Sequence, residues 1–489
     1  MRHRMAQTIT SLILVLAVAC TPNGGSDVSP PATVHAGTDA LDEQARGASE
    51  EAEEQAEETE QRLEALEAAL DAGTFGESSG VRRDAATGWL GERPLDRNTD
   101  DWEPAIAADP NTPYVYALVT RYGEPKPCPG NCPAPYIALA VSSDGGGSWS
   151  DARPLCACKG SGQFDPIIEV VPNTGHVYAV FMIGFNVVFM RSTDHGSTWS
   201  DPIPTWGNVA WNDKPVLAMS DNGRHVYVSW NGPTGGDPWV AQSHDGGATW
   251  TQTKLVDGRR YFFAFDAEVN PDGTVLFSES SLAYTAPGGA AEGMIKHHVF
   301  ISSDQGATWQ NVVLDSVKLG RPCDTEGCTA DFHSGHNAVS ADGDGDLAYV
   351  YDGATVTGGA QRTWFRTSTN EGRTWSGRTR LSPAGIHTTG PTVEATGDGD
   401  YRVWFAVQSA SKRWNILYRR STDGGTTWTP PVKISDASSG AGYKNGNGFL
   451  EFYGDYGEIA ITNQGKTVAA WGEGFSWAGP GNVWINVET

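Results

Sequence analysis

Positive charge is scarce in this sequence: 34 Lys and Arg stand against 59 Asp and Glu, a formal net charge of −25. So acidic a chain is a poor partner for nucleic acid or for anionic lipid headgroups. Long apolar runs are missing after the first twenty residues, so no later segment is suited to cross a bilayer as a helix. Cysteine is sparse, at seven residues, and only 39% of the chain is hydrophobic, which excludes a wide aliphatic core. Present instead are 59 Gly, 28 Pro and 18 Trp. That composition suits short alternating strands, many turns and aromatic wedges.

The pattern S-x-D-x-G-x-T-W recurs six times, starting at Ser142, Ser192, Ser243, Ser302, Ser368 and Ser421. Ser148 replaces Thr in the first copy and Asn370 replaces Asp in the fifth. The acidic or amide positions are Asp144, Asp194, Asp245, Asp304, Asn370 and Asp423. Each is placed to accept hydrogen bonds from a tight turn, with the Gly supplying a positive φ and the Trp a flat wedge between sheets. Starting points 50 to 66 residues apart match the length of a four-stranded propeller blade.

The repeat resembles the Asp box of the sialidase-like (BNR repeat) superfamily, over about residues 80–489. The resemblance implies an all-β propeller with the boxes on the rim away from the ligand, where they are structural. Inner strands are expected to begin near Glu103, Asp165, Asp213, Phe263, His336, Gly390 and Tyr456, seven starts for six boxes. Trp89 to Leu95 matches Trp149 to Leu155 at Trp, Arg, Pro and Leu, so the N-terminal strand is expected to complete a seventh blade and close the ring. A six-bladed ring, with the segment after Tyr453 as an appendage, is the alternative.

Ahead of the propeller, Arg2, Arg4, the apolar run Ile9 to Ala19 and Cys20 resemble a bacterial lipoprotein signal, with Cys20 as the lipidated residue. An ordinary cleaved secretory signal is the other reading. Either makes the protein extracytoplasmic, and the first anchors it to the cell envelope, at the outer membrane if there is one. Residues 21–38 read as a disordered tether. Residues 39–73 read as an acidic helical spacer, with thirteen carboxylates and two arginines between Asp39 and Asp71. Leu63, Leu66 and Leu70 form a thin apolar stripe that leaves oligomeric state undetermined.

Long loops collect on the face opposite the boxes, and function is sought there. Candidate ligand-binding residues are Asp101, Trp102, Glu103, Asp165, Asp213, Asp266, Glu268, Arg259, Arg260, Arg321, His333 and His336, with Tyr453, Asp455 and Tyr456 as candidate catalytic residues. Acids beside proline, as in Glu103-Pro104 and Asp165-Pro166, are expected to ring the channel mouth and bind a cation or serve as general acid and base, or to cap free N–H groups at strand starts. His333 and His336 lack an identifiable third ligand, so no metal site is assigned, and no cofactor is expected. Asp342, Asp344 and Asp346 are read as a turn rather than a calcium loop.

Six cysteines remain after Cys20. Cys323 is expected to pair with Cys328, and Cys128, Cys132, Cys156 and Cys158 to bond among themselves, joining two neighbouring loops.

Enzymes of the resembled family hold a substrate carboxylate with three arginines, preceded by an Arg-Ile-Pro motif, and use a Tyr–Glu nucleophile and an Asp acid/base. Here Arg-Ile-Pro is absent, and the corresponding place reads Asp101-Trp102-Glu103-Pro104. Two functions stand: a surface glycoside hydrolase of exo-sialidase type, or a non-catalytic propeller that binds a glycan or a cell-surface protein.

Overall fold

The computed structural model describes residues 86–96, 99–122, 133–156, 158, 160–209, 211–232, 236–258, 260–285, 291–321, 334–408, 414–435, 456–474 and 481–489. The signal, tether and spacer, and Cys20, Cys128, Cys132, Arg259, Cys323, Cys328, His333, Arg413, Tyr453, Asp455 and Trp477, lie outside the described residues.

The described residues are all β and contain no helix. They form seven consecutive antiparallel runs of four strands. The first strands of units one to seven are Asp100–Ala108, Gln163–Val170, Asp213–Met219, Tyr261–Val269, Asn337–Ala341, His387–Thr396 and Glu458–Ile461. Each lies within three residues of its expected start. The fourth and fifth units are joined into one eight-stranded sheet through a single pair, Lys318 with Ala354.

The segment beyond residue 456 is no appendage. Glu458–Ile461, Thr467–Gly474 and Gly481–Val487 form a sheet whose fourth strand is Arg93–Pro94, with Arg93 opposite Ile485 and Pro94 opposite Trp484. The Leu90 and Leu95 amides extend this pairing by donating to the Val487 and Val483 carbonyls, at 2.9 and 2.8 Å.

Because the units stack face to face, central strands such as Val115–Tyr122 are buried on both faces. Apolar clusters lie between each unit and the next. A further cluster joins Val468, Val483 and Ile485 of the seventh unit to Val115, Ala117 and Ala138 of the first.

The six boxes share one geometry. In the second, the Ser192 hydroxyl donates to Asp194 at 2.8 Å and accepts from the Gly196 amide at 2.9 Å. The Thr198 amide and hydroxyl donate to the two Asp194 oxygens at 2.8 and 2.6 Å. These donors hold the Asp194 carboxyl at a pKa of about 2, below its ordinary value, and the Asp245 carboxyl likewise at about 2. In the fifth box the side-chain bond runs the other way, since the Asn370 amide donates to the Thr374 hydroxyl at 2.8 Å.

The residue before each box glycine also has positive φ. Three are glycines, Gly145, Gly246 and Gly424, and three are not: His195 (55°), Gln305 (59°) and Glu371 (59°). Each box also abuts the preceding unit. A Cβ on Gly247 would lie 2.2 Å from the Phe189 ring, and one on Gly425 2.3 Å from Phe365. The glycine is required twice, for φ and for that close approach.

Asp342 closes its hairpin as a turn. Its carboxylate accepts from the Asp344 and Asp346 amides at 3.1 and 2.9 Å, and from Gly399 of the next unit at 2.9 Å. Cys156 and Cys158 are disulfide-bonded to each other. This corrects the expected link between two loops: a two-residue separation keeps the bond local.

Candidate functional site

The first strands of units one to four and six carry a bulge. Pairing skips Glu103-Pro104, Asp165-Pro166, Lys214-Pro215 and Gly390-Pro391, and in the fourth unit Phe265 alone. The residue before each proline has positive φ: Glu103 54°, Asp165 50°, Lys214 48° and Gly390 55°. Proline cannot donate to a ladder, so it sits where pairing is already broken. Non-glycine residues in the left-handed region cost about 1–3 kcal/mol each and persist where the surroundings enforce them.

Three donors hold the Glu103 carboxylate in place. One carboxylate oxygen accepts from the Thr120 hydroxyl and, at 3.1 Å, from the Asp165 amide of the second unit. The other accepts from the Tyr122 hydroxyl at 3.2 Å. The carboxylate therefore caps a strand start, but on the neighbouring unit. Asp213 takes a longer bond, 3.4 Å, from the Asn231 amide, which also reaches the Tyr261 hydroxyl at 3.0 Å.

Asp101 and Trp102 are buried beneath this rim. Asp101 receives two hydrogen bonds from the buried Arg121, at 2.7 and 2.8 Å, and Arg121 also reaches Asp96. The Trp102 indole donates to Asp100 at 2.6 Å and packs against Tyr122, so it offers no open face to a sugar.

Asp266 and Glu268 lie deeper, past the bulge. Their carboxylates accept from the Val339 and Ala341 amides of the fifth unit, at 3.1 and 3.0 Å, and Glu458 does the same for Ile106 at 2.7 Å. First strands have one edge without a partner strand, and these acids satisfy its N–H groups. Burial, opposed by those amides, raises the carboxyl pKa to about 8 for Asp266, about 7 for Glu268 and about 8 for Glu458. Glu169 and Glu394 are raised by burial and by repulsion from acids on other units. Acids from the second, fourth, sixth and seventh units thus feel one another across a common interior. Glu169 and Glu394 went unread in the sequence, although each stands three residues after a bulge proline. Among the described residues, no three His, Cys, Asp or Glu side chains are grouped to hold a metal ion.

His336 meets the rim from the fifth unit. Its Nδ1 lies 3.2 Å from Asp352 Oδ2, and its ring packs edge-on against Phe265 at 5.3 Å. Asp352 is buried and also accepts from the Gly335 amide at 2.7 Å, the Thr389 hydroxyl at 3.1 Å and the Gly390 amide at 3.3 Å. A carboxylate so placed holds the proton on Nδ1 and leaves Nε2 as the accepting nitrogen. Asp352 sits in a strand interior with no turn or proline beside it, so sequence reasoning missed it.

The two described arginines of the expected set are committed elsewhere. Arg260 donates to the Ser281 hydroxyl and to the Ser281 and Met294 carbonyls, at 2.8, 2.5 and 2.6 Å. Arg321 donates to the Gln408 side chain. Tyr456 is partly buried at the start of the seventh unit.

No family model matches the chain, and no curated protein does. Solved structures do resemble it. An ulvan lyase of polysaccharide lyase family 25 is 11% identical, covering 82% of this chain and 95% of that one, with a TM-score of 0.49. The intramolecular trans-sialidase from Ruminococcus gnavus is 13% identical, with coverage of 83% and 96% and a TM-score of 0.41. The NanB sialidase from Streptococcus pneumoniae, as its K499G mutant, is 12% identical, with coverage of 86% and 72% and a TM-score of 0.43. Sialidases are among the structures this chain is similar to. At such identities and TM-scores the likeness carries no argument about chemistry.

Proposed function

We propose that the seven units are the blades of one closed β-propeller and that its bulged rim is a glycan-binding face. Closure is supported by the seventh sheet, which takes strands from both ends of the described chain, and by the apolar cluster between the seventh and first units. The glycan reading rests on one observation. Strained, proline-backed bulges recur at one end of the first strands and present Glu103, Asp165 and Lys214 in register, with His336 beside Phe265. Carboxylates and an amine at the bulges, with an imidazole beside an aromatic ring, suit the hydroxyls and apolar faces of a sugar.

Retention without turnover is the first reading. Sialidase-type chemistry needs arginines free to clamp a carboxylate, and Arg260 and Arg321 are held by carbonyls and an amide. Hydrolysis is the second reading, favoured by His336 oriented through Asp352 and by the Tyr122–Glu103 pair. We further propose that Cys20 carries a lipid that tethers the propeller to the cell envelope through residues 21–73.

A glycan array followed by turnover assays on the retained glycans, including sialosides, tests both readings. Glu103→Gln and His336→Ala are expected to weaken retention about tenfold or more. Product formation abolished by Tyr453→Phe or Asp455→Asn would move the function to hydrolysis, and no retained glycan at all would overturn the proposal. Cys20→Ser is expected to release the protein from the membrane fraction.

A further inference from the structure

Positive charge, scarce in the chain, is concentrated in one strip of the structure. Arg362, Arg366, Arg373, Arg378 and Arg380 fall within residues 362–380, where the sole carboxylate is Glu371, a local charge of +4 from five cations less one anion. They occupy Gln361–Ser368, Thr379–Arg380 and the box turn between them, at the outer edge of the fifth unit. Arg378 and Arg362 lie over the Trp364 ring, 4.6 and 5.9 Å from its centre. Neighbouring acids neutralise only part of this charge. Arg366 pairs with Asp315 at 3.1 Å and Arg373 with Glu371 at 2.6 Å, while Arg378 reaches Asp315 only at 3.6 Å. Arg362 and Arg380 have no carboxylate partner among the described residues.

The strip continues onto the sixth unit, where Arg419 donates to the Leu381 carbonyl at 2.8 Å. Next to Arg419, Tyr418 meets Trp89 edge-on at 5.0 Å, and Ala86 packs against the same cluster. Tyr418 and Arg419 face opposite sides of their strand, so the chain enters the described residues across the sixth sheet from the arginines. Just upstream in sequence lies 39–71, with thirteen carboxylates and two arginines, separated from Ala86 by residues 72–85. Fourteen residues reach at most about 45–50 Å, several times the ~10 Å between packed sheets.

We infer that the acidic segment 39–71 docks in cis on the arginine strip of the fifth and sixth units. Charge complementarity selects it: the segment carries a net −11, thirteen acids less two arginines, and its 14-residue connection is long enough to reach the strip. A short linker gives an effective concentration on the order of millimolar, so individually weak ion pairs suffice to populate the contact. Exposed pairs are screened by salt, so the docked segment is released as ionic strength rises. Docking draws the propeller toward its N-terminal anchor, and release lengthens the tether.

The test uses the full chain with Arg378→Lys and Arg380→Lys, which keep the charge and supply amines for zero-length carbodiimide coupling to carboxylates. Cross-linked peptides are identified by mass spectrometry. At about 20 mM salt, positions 378 and 380 are expected to couple to 39–71 at least about fivefold more than Lys466 in the seventh unit does, and this excess should vanish near 500 mM. Coupling should stay within monomers and be independent of protein concentration. Equal coupling to Lys466, or no coupling to 39–71, would overturn the inference. Coupling that appears only in dimers, or that grows with concentration, would assign the strip to a second copy and overturn docking in cis.

Discussion

The Arg93 guanidinium donates to the Gly146 carbonyl, across the seam between the seventh and first units. Arg153, its counterpart in the W-x-x-x-R-P-L match, donates to Gly196 across the seam between the first and second. The joint that ties chain start to chain end is therefore the one used between consecutive units. Arg93→Ala should cost about 1–3 kcal/mol, the range for a hydrogen bond from a charged donor, and Arg153→Ala a similar amount. Urea midpoints at constant m-value would measure both, and an effect confined to Arg153 would argue against a sealed ring.

Box turns offer a conformational test. Gln305 holds a φ of 59° where three other boxes have glycine, so Gln305→Gly should stabilise by about 0.5–1 kcal/mol. Gly424→Ala should destabilise by about 1 kcal/mol through φ alone, because a Cβ there meets nothing within 4 Å. Thermal unfolding of the two variants should shift in opposite directions.

The interior acids make stability depend on pH. Asp266, Glu268 and Glu458 titrate near 8, 7 and 8 when folded, above their ordinary values, so between pH ~4 and ~8 the folded state binds more protons than the unfolded. Stability should fall as pH rises through that window. The box carboxylates act in the opposite sense: Asp194 and Asp245 have depressed values, so their contribution is present above about pH 4 and lost toward pH 2. Glu169→Gln removes a carboxyl whose ionised form the interior disfavours and should raise stability at pH 8, with little change at pH 5. Denaturant titrations at the two pH values would show whether the gain is confined to the alkaline side.

Asp352 joins four donors from two units. Asp352→Asn places an amide N–H where one of them now points, which should cost about 1–3 kcal/mol and loosen His336. Glycan retention should drop with it, by about tenfold. Stability lost with retention unchanged would separate His336 from the ligand.

Much of the architecture was legible because its signals are local. The box residues bond within a few positions of one another, from Ser142 to Trp149 and its repeats, and Trp149, Trp199, Trp250, Trp309 and Trp428 all donate to their own box glycine. Trp375 differs: its indole N–H has no partner among the described residues. Strand starts followed from acids next to prolines for a related reason, since proline breaks a ladder wherever it occurs. The site was less legible. Asp101 and Trp102 read as rim residues, yet Arg121 and Asp100 hold them in the interior, because alternation along a strand does not reveal which long-range partner waits on each face.

The amino-acid sequence by itself determined the unit length, the turn chemistry and the overlap of first and last segments, because spacing and φ preference act between near neighbours. Tertiary structure alone decided that Glu103 caps Asp165, that His336 turns toward Asp352 and that acids from four units share one interior. Those relations depend on residues far apart in the chain, and their hydrogen bonds and charges acquire strength only where packing brings them together and excludes water.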